Sequence, residues 1–227
     1  MDTIKIGNSL LYKNNQLIAF NKPAGIPVQS DKTGDASLLI LAQAYAKSNL
    51  ELIHRIDRPA TGVVLLSKVS GALASLNKQF QERKVAKTYL AIVKNKPEAD
   101  KATLTHFMQK NEKQNRSVAY DKEIAHSKKA ELSYEVIGSS DNYHLLKIEL
   151  HTGRHHQIRA QLAAIGSPIK GDAKYGFRRS NQDRSIHLHA WKIAFTHPIS
   201  GAKEEIVAPL PVESLWDFFG EAVGQSK

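Results

Sequence analysis

Two short stretches carry residue types from which a reaction could be built. The first is His54-Arg55-Ile56-Asp57-Arg58, inside LIHRIDRPATGVVLLSK, Leu52 to Lys68. It places one carboxylate between two guanidinium groups at the mouth of an apolar, strand-like run. On an extended backbone side chains alternate, so Arg55 and Asp57 share a face and Arg58 takes the other. A guanidinium nearby favours the ionised carboxylate, and a carboxylate held ionised in a pocket can serve as nucleophile or base. An ion pair that only fixes a turn would use the same residues. The second stretch, TGRHHQIRAQLAAIG, sets Arg154, His155, His156 and Arg159 where a strand gives way to a helix. His155 and Arg159, four apart, are read onto one helical face. Cations at a helix start oppose its dipole, so this arrangement calls for a negative partner, either phosphate or carboxylate.

The chain that must position these groups has 227 residues, enough to bury a sizeable core. A hydrophobic fraction of 41% and a charged fraction of 24% are those of an ordinary globular protein. A formal charge of +10 points to an anionic partner, RNA or DNA first among them. There is no cysteine, which excludes disulfides, thiolate catalysis and thiolate metal sites and suits the cytoplasm. The N-terminus has no basic start followed by an apolar core, so it does not read as a secretory signal. No apolar run is long enough to span a bilayer. The glycine-rich phosphate loops GxGxxG and GxxxxGK[ST] are both missing.

Hydrophobic periodicity supplies the elements. Leu10 to Tyr12 and Leu17 to Phe20 predict a hairpin around Asn14-Asn15, and NKPAGIPVQS a loop. DASLLILAQAYAKSN predicts a helix capped by Asp35 or Ser37, and SGALASLNKQFQERK an amphipathic helix facing inward with Leu73, Leu76 and Phe80. Val63 to Leu66 and AKTYLAIVKN predict strands. KATLTHFMQK pairs with NRSVAYDK, and KKAELSYEVIGSS with NYHLLKIELH. HHQIRAQLAAIG predicts a helix ended by Gly166, SIHLHAWKIAFTHP a long strand, and PVESLWDFFGEAV a last helix with Pro211 near its start. Strands joined mostly by hairpins with helices between them predict an α+β fold, a largely antiparallel mixed sheet with flanking helices. With no obvious linker, residues 1–227 are read as one catalytic domain.

HRIDRPATGVVLLSK, KTYLAIV, TGRHHQIRAQLAAIGSPIKGDAKYG and HLHAWKIAFTHP, in this order and spacing, resemble the RluA-type pseudouridine synthase family over about residues 10–211. The resemblance implies a pseudouridine synthase catalytic domain with a central RNA-binding cleft. It implies isomerisation of selected uridines: the N-glycosidic bond breaks, the base turns and rejoins the sugar through carbon. It implies catalytic roles for Asp57, for Tyr89 as stacking ring and proton-transfer hydroxyl, and for Arg159 as the ionic partner of Asp57. Arg55 would take the place of the displaced base in the stack, Leu188 would wall the uracil, and His54, Arg154, His156 and Lys174 would contact substrate. Asp57 would attack the sugar, attack the base or remove a sugar proton, and the residues leave all three open. Ile56, Ala60 and Thr61 depart from the family's usual leucine, threonine and serine, and His155 stands where threonine is frequent.

Arg83, Lys84, Lys87, Lys128, Lys129, Arg154, Lys170, Lys174, Arg178 and Arg179 are candidate phosphate contacts that would help offset unstacking of the base. Only about ten residues precede the family match, so a separate N-terminal RNA-binding domain is not expected, and target choice would fall to NKPAGIPVQSDKTGD and RRSNQDRS. The expected partner is a ribosomal or transfer RNA stem-loop, and the expected enzyme is a cytoplasmic monomer with no cofactor, metal or membrane. Two other readings compete. Ten histidines suggest a metal-dependent hydrolase, but HExxH and an accompanying acid cluster are missing. A non-catalytic RNA-binding module would use the same basic face without needing Asp57, Tyr89 and Arg159 together.

Overall fold

A computed structural model describes residues 5–31 and 33–224. The first elements are β1 (Leu10–Lys13), β2 (Leu17–Lys22), α1 (Leu38–Ala46), β3 (Glu51–Leu52), β4 (Thr61–Ser67), α2 (Ser70–Gln81) and β5 (Ala86–Val93). Then come β6 (Lys101–Asn111), β7 (Arg116–Tyr120), β8 (Lys128–Ser139), β9 (His144–Leu150), α3 (Gln157–Ala164), β10 (Leu188–Thr196), β11 (Lys203–Val207) and α4 (Ser214–Phe218). They form two compact units, Met1–Ala86 with Ala190–Pro209 and Lys87–His189 with Leu210–Lys227.

In the first unit the predicted hairpin forms because Asn14 can fold its side chain back on the turn. Its Oδ1 accepts the backbone N–H of Gln16 at 2.9 Å and of Leu17 at 2.7 Å. β2 pairs antiparallel with β4, β10 follows β4, and β11 closes the edge against β10. Gly62 makes the approach of β4 to β10 possible. Its φ is +115°, and a Cβ there would lie 2.2 Å from the Ala190 carbonyl oxygen. Ser37, not Asp35, caps α1, accepting the Ile40 N–H at 3.4 Å. The amphipathic α2 buries Ala72 and Leu76 with Leu17, Leu65, Ile193, Phe195 and Ile206, while Leu73 and Phe80 pack on this core half-buried.

The second unit is an antiparallel sheet in the order β5-β9-β8-β6-β7. α3 lies over it, almost wholly buried despite its polar sequence. Gln161 Nε2 reaches the Leu104 carbonyl at 3.2 Å and Gln157 Nε2 the Glu131 carbonyl at 3.1 Å, so buried amides replace apolar contacts. The α+β, mostly antiparallel expectation holds.

Three local expectations are corrected. α3 begins at Gln157, not His155, because His156 adopts a left-handed conformation (φ +52°) that cannot start a helix. His155 and Arg159 therefore do not share a helical face. The last helix is only Ser214–Phe218, followed by a separate 3-10 turn Glu221–Val223 across Gly220. β11, whose KEEIV alternates weakly, escaped the reading altogether.

Candidate active site

In the first unit Asp57 sits on the loop between β3 and β4, half-exposed, with its carbonyl accepting the Ala60 N–H at 3.0 Å. Both flanking arginines have distinct surroundings. Arg58 turns away: Nε donates to the Gly25 carbonyl at 2.7 Å, Nη1 to Thr33 at 3.0 Å, and Nη2 pairs with Asp35. Asp31 lies 3.6 Å from the same guanidinium, which also holds the Asp35 carboxyl below its ordinary range. Arg58 thus ties the Pro/Gly loop after β2 to the loop of Asp57, and Arg55 is exposed.

Lys22 completes the support from beneath. Fully buried, its Nζ donates to the carbonyls of Pro23 at 2.8 Å, Ile26 at 3.0 Å and Arg58 at 3.1 Å. Burial pulls its ammonium down to about 7, against the upward pull of the Asp57 carboxylate. The sequence reading passed over this lysine. The signal was its place at the end of an apolar strand, where a charged residue needs a reason. His54 is held within the fold: Nε2 accepts the Leu65 N–H at 3.0 Å and the ring stacks on Phe80.

The second unit gathers a different set. Arg159, 4% exposed, forms a two-point pair with Asp172: Nε to Oδ2 at 2.6 Å and Nη2 to Oδ1 at 2.9 Å. Asp172 went unnoticed in the sequence, although GDAKYG puts an acid shortly after that helix. The Arg159 guanidinium also stands 4.9 Å from the centre of the Tyr175 ring, and that of Arg116 stands 5.1 Å from it. The Tyr175 hydroxyl accepts the Ser117 N–H at 2.8 Å and shares a hydrogen bond with His156 Nδ1 at 2.9 Å. His155 stacks on His156 with centroids 3.7 Å apart and meets Ser117 Oγ at 2.9 Å. Arg159, His156 and Tyr175 are therefore one cluster, built at the strained entry to α3.

The remaining expected residues are also in the second unit. Tyr89 lies on β5 opposite Ile148, 8% exposed, and Leu188 opens β10 at 4%. Burial lowers the neighbouring Lys87 ammonium. Arg154 is exposed and donates to the Lys129 carbonyl at 3.1 Å. Lys174 is exposed and clasps the β6–β7 turn through the Asn115 carbonyl at 3.0 Å. Asp57, Arg55 and His54 thus belong to one unit, and Tyr89, Arg159, Arg154, His156, Lys174 and Leu188 to the other. Among the described residues no group of three or more His, Asp or Glu is placed to hold a metal ion. No described helix is long and apolar enough to cross a membrane.

Comparison with known proteins gives consistent matches. The family model described as RNA pseudouridylate synthase matches residues 16–164. A protein of Buchnera aphidicola (Schizaphis graminum strain) named ribosomal large subunit pseudouridine synthase C is 35% identical over 223 residues, covering 90% of this chain and 68% of that one. A protein of Vibrio cholerae with the same name is 33% identical over 215 residues, covering 91% and 67%. Among solved structures, human RNA pseudouridylate synthase domain containing 4 superposes with a TM-score of 0.74 at 24% identity, covering 97% of this chain and 93% of that one. Human RNA pseudouridylate synthase domain containing 1 gives a TM-score of 0.77 at 22% identity, covering 96% and 90%. At those identities the two human structures speak to the fold.

Proposed function

The chain belongs to the RNA pseudouridylate synthase family, whose activity is the isomerisation of RNA uridine to pseudouridine, and we propose that its substrate is large-subunit ribosomal RNA. The observation that carries the proposal is the named relatives: the Buchnera and Vibrio proteins bear that target in their names and align along about nine-tenths of this chain. The site assignments belong to the same proposal. Asp57 is the essential carboxylate, and Lys22 and Arg58, which fix its loop, support that role. Arg159 acts with Asp57, Tyr89 stacks on the uracil and relays a proton, and Leu188 walls the base. The uridine leaves its stack to react, Arg55 fills the gap, and His54, Arg154, His156 and Lys174 complete the substrate contacts. The enzyme works as a cytoplasmic monomer.

The reaction conserves atoms. The N1–C1′ bond breaks, a C5–C1′ bond forms, the C5 proton leaves and N1 gains one. Release of tritium from [5-3H]uridine in transcribed large-subunit ribosomal RNA therefore reports turnover. Wild-type protein is expected to release it, and Asp57→Asn to fold, bind the RNA and release none. Full turnover by Asp57→Asn would remove the assignment; no release by the wild type would remove the target.

A further inference from the structure

The segment 177–185 carries Arg178, Arg179 and Arg184, all exposed, and among the described residues no carboxylate pairs with any of them. Its one acid, Asp183, is engaged inside the loop, where Oδ1 accepts both the backbone N–H and the hydroxyl of Ser185 at 3.0 and 2.7 Å. The loop also closes on itself through the Arg184 N–H to the Asn181 carbonyl at 3.0 Å, with Arg184 left-handed at φ +60°. Exposed arginines that are merely solvated need no such fixed backbone.

A polar chain beneath the loop supplies the fixing. Asn181 Oδ1 accepts from Lys170 Nζ at 3.1 Å, while its Nδ2 faces Ser185 Oγ and His187 Nδ1, each at 3.1 Å. Only this amide orientation offers Lys170 an acceptor. His187, 4% exposed, then donates from Nε2 to Glu213 at 3.1 Å, and Trp216 stacks on its ring. Burial and the Lys170 ammonium hold this imidazole below its ordinary value, against the pull of Glu213. A neutral ring protonated at Nε2 satisfies both neighbours, so each proton in the chain has one place. Gly171, at φ +84°, lets the backbone meet the Asn181 amide; a Cβ there would lie 2.6 Å from Nδ2. The brace thus joins the loop to the C-terminal segment Glu213–Trp216.

We infer that Arg178, Arg179 and Arg184 form a prearranged contact for the RNA sugar-phosphate backbone, and that Asn181 is the positioning residue that holds them in register. The inference rests on RNA being the substrate. Fixing the backbone that bears three guanidiniums lowers the cost of ordering them on phosphates, which gives affinity for one backbone path over others.

The test uses the full chain, with tritium release and filter binding on the same large-subunit ribosomal RNA transcript. Arg178→Gln/Arg179→Gln/Arg184→Gln should raise KM about tenfold or more and flatten the salt dependence of binding by about two to three ion equivalents. Asn181→Leu keeps every positive charge, yet should raise KM in the same direction, the loss falling on KM rather than kcat. A purely structural role for Asn181 would lower the melting temperature and leave KM and the salt slope alone, which would overturn the inference. So would an equal loss of affinity in Lys47→Gln/Lys78→Gln/Lys203→Gln, which removes the same charge from the first unit. If the wild type turns over no uridine in this RNA, the target assignment fails, and the binding arm still decides the role of the loop.

Discussion

The buried pair Arg159–Asp172 sets a demanding test. Its two side chains are 5% and 1% exposed, and the contact is two-pointed. Truncating either partner removes both points of a contact made where water does not reach, which costs about 3–5 kcal/mol. Arg159 cannot shed its proton, so Asp172→Ala should carry its full cost at any moderate pH. Arg159→Met/Asp172→Leu removes both charges and should be far more stable than the sum of the single losses. Urea unfolding of the four proteins measures all of this. Single losses under about 1 kcal/mol, or strict additivity, would refute the reasoning.

Other outcomes follow from the same geometry. Lys22 keeps its proton to about 10.5 when unfolded but releases it near 7 when folded, so the unfolded state binds more protons between those values. Stability should therefore rise with pH across that window, by up to about 1.4 kcal/mol per pH unit, and the rise should vanish in Lys22→Met when both are followed by denaturant titration. Gly62→Ala forces a side chain into the Ala190 carbonyl at a left-handed φ and should abolish soluble expression or cost several degrees of melting temperature. Arg58→Ala frees the loop of Asp57 from Gly25, Thr33 and Asp35; it should lower kcat in the tritium assay while costing only about 1 kcal/mol in unfolding, because the contact is half-exposed.

Much of the framework could be read from the sequence because its strands are short apolar runs and its turns carry Asn, Gly and Pro. Asn14 and Ser37 do what their types suggest. α3 was legible as a helix, but its burial was not: Gln157, Arg159 and Gln161 look like a solvent face until β6 and β8 supply carbonyls and Asp172 supplies a charge. Its start was misplaced because the left-handed His156 is set by its contact with Tyr175, which is tertiary. Asp57, Tyr89 and Arg159 stood out by resemblance. Lys22 and Asp172, which fix two of the three backgrounds, did not, since a lone lysine or aspartate reveals its burial only once the chain has folded.

The path of the chain carries its own consequence. Strands β10 and β11 return to the first unit after the whole sheet of the second has been laid down, and they contribute Ile193, Phe195 and Ile206 to its interior. A nascent chain that has left the ribosome only as far as α2 lacks those inserts and waits with an unfilled apolar face. The N-terminal portion is thus the first to be made but cannot be the first to be finished, and that interval is when a chaperone would be needed.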